Sequence, residues 1–433
     1  MNPPLPIHKA KEAAHLLQES LDFYKTLDYE GEKLISTDYL FGPARGQMFG
    51  ILVCEDKDGN EVVLKAFSAQ YDGKWLIPGW VGPVPDPLSY EKIVRESDDL
   101  LHELTLTISG GENDELSALV AQRKKLSQSV LGKLYSLYQF RCIDGRPKSF
   151  TDIFGSKLPP TGTGDCCAPK LLHWAFTHDL HPISMAEFYY GMANKSESRQ
   201  HKAFYAPCDD KCQPLLKHML GLDIIYCDTS LLVINKEGGL LSVPGRGEDK
   251  QDCVESRVRR LFPSAPKQCA VHRLDMDTSG LLVIALDKES HRSLSMQFMQ
   301  QEVDKEYEAL LEGVVKQEGG EVRLPFRLDV EHRPYQIYDA EQGKWGTTMW
   351  KKLRVESSPL GLVTRVRFIP LTGRTHQLRL HSSHAKGIAH AIVGDRLYGT
   401  GKEGDRLCLH ATALSLYHPL TKERLSFTSP APF

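Results

Sequence analysis

The chain has 433 residues and a net charge of −3, with 41% hydrophobic and 25% charged residues. This length exceeds what one ordinary core accommodates and favours two domains. No stretch approaches the ~20 consecutive apolar residues that a membrane span requires. The first residues, MNPPLP, lack the basic and apolar pattern of a signal peptide. We therefore expect a cytoplasmic protein without a membrane partner.

The overall charge conceals a difference between the two halves of the chain. Residues 1–220 contain 24 Lys and Arg against 29 Asp and Glu, whereas residues 221–433 contain 29 against 27. With such small net charges, neither half attracts polyanions over its whole surface. Any nucleic-acid surface in the second half must therefore be a local basic stripe.

The first half predicts a separate domain of strands and helices. Residues 47–70 alternate apolar and polar residues around the turn sequence DGN, which predicts a β-hairpin. A loop rich in Pro and Gly follows over 77–87, and then two helices broken at Gly110 and Gly111. The polar segment 195–213 predicts a boundary near residue 215. We expect an α+β N-terminal domain over 1–215 and a second domain over 216–433.

Cysteines in the first half leave two interpretations open. Cys166, Cys167, Cys208 and Cys212 lie near several histidines and could form a tetrahedral zinc site. The spacing of Cys208 and Cys212 is less specific than paired knuckles, and free cysteines are often small buried hydrophobes. We favour reduced cysteines and no bound metal.

From residue 223 onward, short strands alternate with helices. The pattern predicts strands over 231–234, 281–286, 307–315 and 362–369, and helices over 252–262, 287–301 and 376–386. Asp252, Asp287 and Thr375 are the predicted N-caps of these helices. An α+β domain with a largely antiparallel sheet fits this pattern.

Polar sequence blocks in the second half carry the candidate chemistry. They read NKEGGLLSVPGR (235–246), VHRLDMDTSGLLVI (271–284), KEY (305–307), GRTHQLR (373–379), GDRLYG (394–399) and LCLHA (407–411). Asp275 precedes an apolar run that predicts a buried strand. A rigid scaffold at such a position can present a carboxylate to a substrate.

These blocks resemble the signature of the pseudouridine synthases, in the branch of ribosomal large subunit pseudouridine synthase A, over residues 217–433. The resemblance implies a central sheet with a catalytic cleft and an isomerase that requires no cofactor. It also implies RNA as the partner, as stem-loops of large-subunit ribosomal RNA, transfer RNA or both, and not DNA. The reaction breaks the N-glycosidic bond of uridine and rejoins the base through C5.

The resemblance implies roles for individual residues. Asp275 matches the nucleophile, Arg379 the arginine that pairs with it, and Tyr307 the aromatic residue that stacks on the target base. Arg273 matches an arginine that fills the space left by the flipped nucleotide. The remaining RNA-binding candidates are Lys236, Arg246, Arg374 and Arg396 for phosphates and Leu397 as an apolar wall. Attack at C1′, attack at C6 and a glycal route remain open.

Two departures from the family pattern concern supporting loops. The family usually has Asn-Lys-Pro where this chain has Asn235-Lys236-Glu237, and His-Pro where it has His390-Ala391. Loss of proline rigidity affects the fit of RNA more than the chemistry. These departures therefore concern the choice of target RNA more than the reaction.

Other functions remain open at this stage. One is a non-catalytic RNA-binding or ribosome assembly factor on the same scaffold, and another is a zinc-dependent interaction protein centred on the N-terminal cysteines. The N-terminal half resembles an extension found on some long members of the family. Its acidic balance is compatible with a protein contact, and we also consider that it extends or restricts RNA binding.

Overall fold

A computed structural model describes residues 4–29, 31–32, 35–43, 45–110, 116–207, 211–359 and 361–433. The internal contacts divide the chain into two compact units, Met1–Gly221 and Leu222–Phe433. Within the described ranges, no helix combines the length and the apolar character needed to cross a membrane.

The N-terminal unit combines a small sheet with helices. Its elements are α1 (His8–Tyr24), β1 (Gln47–Glu55), β2 (Glu61–Phe67), α2 (Pro87–Gly110), α3 (Leu116–Ser136), β3 (Gln139–Arg141), β4 (Pro147–Ser149), α4 (Phe150–Phe154), α5 (Cys167–Thr177), β5 (His181–Tyr190), β6 (Phe204–Tyr205) and α6 (Gln213–Leu220). The predicted hairpin is confirmed, because β1 and β2 pair antiparallel with Glu55 opposite Glu61. Gly111 of the predicted helix break lies outside the described residues.

Helices cover both faces of the sheet β2-β1-β5-β6. Phe49 and Ile51 of β1 share a core with Ala14 of α1. Gly50 lies between them and points the other way, because successive strand residues face opposite sides. A Cβ at Gly50 would lie 2.5 Å from Cβ of Cys167, so α5 packs closely on the second face.

The C-terminal unit is built on a ten-stranded sheet. Its elements are β7 (Ile224–Cys227), β8 (Leu231–Lys236), α7 (Val254–Leu261), β9 (Ser279–Ala285), α8 (Lys288–Met299), β10 (Asp304–Glu312), β11 (Gly319–Leu328), β12 (Gln336–Tyr338), β13 (Lys344–Ser358), β14 (Gly361–Pro370), α9 (Gln377–Ser383), β15 (Leu409–Tyr417) and β16 (Arg424–Thr428). The strand order is β12-β11-β13-β14-β10-β15-β9-β8-β7, with β16 also on β15. Among the described strands only β9 and β15 pair in parallel. The expected α+β fold with a largely antiparallel sheet is confirmed.

Helix ends differ from the predictions at two of three sites. Asp287 caps α8 as expected, since its side chain accepts from the backbone N–H of Ser290. The cap of α7 is Cys253 and not Asp252. The cap of α9 is His376 and not Thr375, and that helix ends at Ser383. His376 adopts a left-handed backbone conformation without a side-chain cap, which propensity rules do not anticipate.

The structure describes only part of the cysteine cluster. Cys208 lies outside the described residues. Within the described ranges, no group of three or more His, Cys, Asp or Glu side chains is arranged to hold a metal ion. Cys167 is buried, and its thiol lies 3.4 Å from the carbonyl oxygen of Met48.

Candidate active site

Asp275 lies in a loop that leads into β9 and is fixed on both sides. The Ser242 hydroxyl donates to the carbonyl oxygen of Leu274 (2.7 Å) and accepts from its N–H (3.0 Å). The N–H of Thr278 donates to the carbonyl oxygen of Asp275 (3.1 Å). These bonds hold the backbone around a half-buried carboxylate.

His272 supports the same loop. Its Nε2 accepts from the N–H of Val283 in β9 (3.0 Å), and its ring stacks on Phe298 of α8 with centroids 4.4 Å apart. Burial, with a contribution from the Lys305 charge, lowers the pKa of His272 to about 3. A ring that is neutral at physiological pH and accepts a backbone hydrogen bond serves as a structural support.

The structure corrects the prediction that Lys236 contacts phosphate. Its side chain is 1% exposed, and its ammonium donates to the carbonyl oxygens of Glu237 (2.8 Å), Leu240 (2.7 Å) and Met276 (2.9 Å). Burial lowers the pKa of Lys236 to about 8, although the charges of Asp275, Asp277 and Glu237 oppose this shift. Lys236 therefore ties the first sequence block to the residue that follows Asp275.

The charge of Asp275 reaches several side chains from distant parts of the chain. It influences the pKa values of Lys236, Tyr307, His376, Arg379 and Tyr398. The sheet and α9 thus bring together residues separated by more than 100 positions in the sequence. Asp275, Tyr307 and Arg379, the three predicted catalytic residues, belong to one electrostatic cluster.

Tyr307 lies on β10 between β14 and β15. It faces Phe368 on one side and Ala411 on the other, and the pairing with β15 shifts register between Glu306 and Tyr307. Such irregularities re-aim side chains next to functional sites. Burial and the negative charge of Asp275 raise the pKa of Tyr307, so its phenol stays protonated.

The structure contradicts the predicted direct ion pair between Arg379 and Asp275. Arg379 is 2% exposed, and its Nε and Nη2 donate to the two carboxylate oxygens of Asp395 at 2.8 and 2.6 Å. Burial alone would lower the pKa of Arg379, but the hydrogen bonds and charge of Asp395, with Asp275 and Asp277, raise it. Arg379 is therefore a fixed cation that acts on Asp275 through space.

Tyr398 links Arg379 to the surrounding loops. Its ring lies 5.5 Å from the guanidinium carbon of Arg379, and its hydroxyl bonds to Nδ1 of His376 (2.9 Å). The same hydroxyl accepts from the N–H of Gln336 (2.7 Å). Tyr398 therefore holds the GDRLYG block, α9 and β12 together.

The remaining RNA-binding candidates lie at or near the surface. Arg246, Arg273 and Arg374 are exposed, and Leu397 is half-buried. Arg396 is also exposed, but its guanidinium donates to both carboxylate oxygens of Asp277 at 3.2 Å. The last pair connects the loop of Asp275 to the GDRLYG block.

Sequence reasoning assigned no role to Asp395, Asp277, Tyr398 or Ser242, all of which organise the site. Asp395 is 0% exposed and also accepts from the N–H groups of Leu397 (2.9 Å) and Tyr398 (3.1 Å). One signal was available for it. A buried aspartate needs a cation partner, and the arginine of the GRTHQLR block was one of several basic residues that could supply it.

A buried cation, a shielded tyrosine and a half-buried carboxylate thus lie together on a largely antiparallel sheet. Residues 230–384 match the family model described as RNA pseudouridylate synthase. The dual-specificity RNA pseudouridine synthase RluA of Pasteurella multocida is 42% identical over 215 residues, which cover 49% of this chain and 94% of that protein. The RluA of Escherichia coli K12 is 40% identical with the same coverage. The chain belongs to the RNA pseudouridine synthase family.

A solved structure of human RNA pseudouridylate synthase domain containing 1 is 31% identical, with a TM-score of 0.41. The match covers 49% of this chain and 84% of that one. Both similarities in sequence and structure leave about half of this chain unmatched.

Proposed function

We propose that this pseudouridine synthase isomerises specific uridines in structured stem-loops of large-subunit ribosomal RNA, transfer RNA or both, in the cytoplasm. Residues 216–433 form its catalytic domain in this proposal. The RluA relatives are named dual-specificity RNA pseudouridine synthases, which supports testing both classes of RNA. The observation that carries the proposal is the electrostatic cluster of Asp275, Tyr307 and Arg379 in a chain of this family.

In the proposed mechanism, Asp275 is the nucleophile. Arg379, fixed by Asp395, supplies a permanent positive charge that acts on the Asp275 carboxylate. The carboxylate attacks C1′ of the ribose or C6 of the base, or assists a glycal route, and the uracil is released from its N1 bond. The base rotates and its C5 bonds to C1′, and any bond to Asp275 breaks. The C5 proton leaves and N1 takes up a proton, so no atom is gained or lost overall.

Tyr307 holds the detached uracil in this proposal. A protonated phenol next to Asp275 offers a neutral ring face, and stacking on a base contributes ~1 to 3 kcal/mol. The target uridine must leave its stack to reach Asp275. Arg273, exposed and two residues before Asp275, is positioned to fill the vacated space. Arg246, Arg374, Arg396 and Leu397 form the proposed RNA surface, with phosphates competing against Asp277 for Arg396.

The decisive experiment compares Asp275→Asn with Asp249→Asn in the full chain. Asp249 is an exposed residue of the same unit and serves as the matched control. Position-resolved pseudouridine mapping is applied to RNA from cells that lack the gene and carry either variant. We expect Asp275→Asn to form no pseudouridine at the target positions, while Asp249→Asn restores all of them.

RNA binding is measured in parallel with purified protein. Asp275→Asn should retain its affinity for the mapped RNA, because the carboxylate acts in the chemical step. Isomerisation at the parental rate by Asp275→Asn would refute the assignment of the nucleophile. Absence of any gene-dependent pseudouridine would refute the proposed RNA substrates and favour a non-catalytic binding factor.

A further inference from the structure

A helical hairpin formed by α2 and α3 stands out in the N-terminal unit. The helices have 24 and 21 residues. Half-exposed residues recur along both helices at spacings of three, four or seven, as in helices that pack side by side. They include Val94, Ser97, Leu101, Leu104 and Ile108 in α2, and Leu116, Leu119, Leu126 and Val130 in α3. Nε of Arg123 donates to Oγ1 of Thr105 (2.9 Å) and fixes the two helices to each other.

This hairpin buries few of its own apolar side chains. In the described parts 87–109 and 116–133, no residue is buried. Burial begins only at Leu134 and Tyr135, and at the start of α2 the ring of Tyr90 packs on Trp75 with centroids 5.2 Å apart. Leu100 remains 52% exposed and Val120 48%. Two helices can cover each other on one side only, so an apolar face of this size requires further helices against it.

A groove between the two helices provides room for side chains of a partner. Its volume is about 450 Å³, and its lining includes Thr105 and Ile108 of α2 and Val120 and Ser127 of α3. The polar side chains of Arg123, Lys124 and Gln128 share the lining with these small and aliphatic residues. This is the form of surface into which residues of a facing helix pack.

The charges of the two helices identify the kind of partner. Residues 87–110 contain five acidic and two basic residues, whereas residues 116–136 contain four basic and no acidic residues. An RNA would be repelled by α2, and a uniformly charged protein surface would be repelled by one helix or the other. A second copy related by a two-fold axis places α2 beside the α3 helix of its partner. Opposite charges then meet at both contacts.

The available area is sufficient for a stable dimer. A helix of this length extends roughly 35 Å, and two adjacent helices present a face about 20 Å wide. The resulting area is roughly 700 Å² per copy. Specific protein interfaces bury about 800 Å² per partner.

We propose that the α2–α3 hairpin is a self-association surface through which two copies of the chain form an antiparallel four-helix bundle. The proposal goes beyond the isomerase reaction and does not rest on it. Its test therefore uses molecular mass, and pseudouridine formation is measured separately on the same samples. Loss of one property without the other distinguishes failure of this proposal from failure of the proposed function.

The first experiment measures the mass of the full-length protein by light scattering and sedimentation. We expect a species of twice 48.7 kDa. Val120→Lys should raise the dissociation constant of the dimer about 10²-fold, the scale of a lost interface anchor, because Val120 lines the groove. The matched control is Leu106→Lys, because Leu106 is 60% exposed on the other helix of the hairpin. Leu106 is two residues from both Leu104 and Ile108 and so faces away from the seam. This control should remain dimeric.

A charge-swap experiment tests the pairing of α2 with the partner's α3. One variant carries Lys124→Glu and Lys125→Glu, and the other carries Glu96→Lys and Glu103→Lys. Each alone should be monomeric, because the first variant cancels the net charge of α3 and the second makes α2 basic, like α3. Their mixture should restore the dimer. Circular dichroism confirms that each variant keeps its helices.

The outcomes separate the possible occupants of the hairpin. A monomeric parent protein at all accessible concentrations would overturn the proposal. A monomeric parent whose RNA affinity falls with Lys124→Glu and Lys125→Glu would assign the basic helix to RNA instead. A dimer that survives Val120→Lys and both charge variants would place the interface elsewhere and would also overturn it.

Discussion

The two units each enclose one lysine at 1% exposure, and the two residues are used differently. Burial lowers the pKa of both Lys170 and Lys236 to about 8. Lys170 donates to the carbonyl oxygen of Phe67 (2.7 Å) and so connects a helix to the adjacent strand of a packed layer. Lys236 donates to three carbonyl oxygens of two loops next to Asp275. Burial and a shifted pKa therefore do not identify a functional lysine, whereas the groups that it holds in place do.

The largest expected difference in stability is between an ion pair buried in the C-terminal unit and one exposed in the N-terminal unit. Arg379→Met leaves Asp395 uncompensated at 0% exposure, and should lower the free energy of unfolding by about 3–5 kcal/mol and abolish activity. Lys202 pairs with Asp22, with both side chains about 40% exposed. Lys202→Met should cost no more than about 1 kcal/mol. Denaturant titration followed by hydrogen exchange in each unit measures both values, and equal losses would contradict the comparison.

A second contrast concerns two glycines with a positive φ angle. A Cβ at Gly280 would lie 2.4 Å from both N and O of Ala411, where β9 meets β15, whereas a Cβ at Gly59 meets nothing within 4 Å. Gly280→Ala should therefore cost about 3 kcal/mol, from left-handed strain and displaced backbone. Gly59→Ala should cost about 1 kcal/mol from strain alone. The same unfolding measurement applies, and a Gly280→Ala variant as stable as Gly59→Ala would show that β15 can move aside.

The sequence predicted the strands of both units better than the contacts around Asp275, for a physical reason. Asp275 and the strands of the sheet follow from local patterns, because a polar loop before an apolar run indicates a buried strand edge. The partner of Arg379 and the role of Lys236 depend on which backbone and side-chain groups meet in space. Spacing along the chain carries no information on these contacts. The half-exposed seam of α2 and α3 was visible in part as periodic leucines, but its incomplete burial was not.

The third prediction separates the two buried lysines by activity. Lys236→Met removes three donors from the loops beside Asp275, and a shift of about 1 Å in the carboxylate costs about 10²-fold in rate. Lys170→Met removes one contact in the other unit and should leave the isomerisation rate within about twofold of the parent. Such a change is smaller than the tenfold change in rate that corresponds to ~1.4 kcal/mol. Single-turnover rates at saturating protein measure this effect apart from RNA affinity. A normal rate for Lys236→Met would mean that Ser242 and His272 are sufficient to hold the loop.

The smallest expected effect is on the pH dependence of stability. It concerns one histidine in each unit whose ring accepts a hydrogen bond from a backbone N–H. His272 accepts from Val283 (3.0 Å) and His173 from Arg141 (3.1 Å). Burial, helped by nearby positive charge, lowers the pKa of His272 to about 3 and that of His173 to about 4, both below the ordinary 6.5. The unfolded chain therefore takes up these protons first as the pH falls. Each ring contributes its full stability above pH 6.5 and loses it progressively toward its folded pKa.

At pH 5 this loss amounts to about 2 kcal/mol per histidine, because 1.5 pH units lie between that pH and 6.5. His272→Gln and His173→Gln remove the titration, so each variant should lose about 2 kcal/mol less than the parent between pH 7 and pH 5. Hydrogen exchange assigns each change to its unit. If His272→Gln reproduced the pH dependence of the parent, the ring would take up its proton equally in the folded and the unfolded chain and would be charged in the folded loop at pH 5. A charged ring could not accept from Val283, and the support that it gives to Asp275 would have to come from the stacking on Phe298 alone.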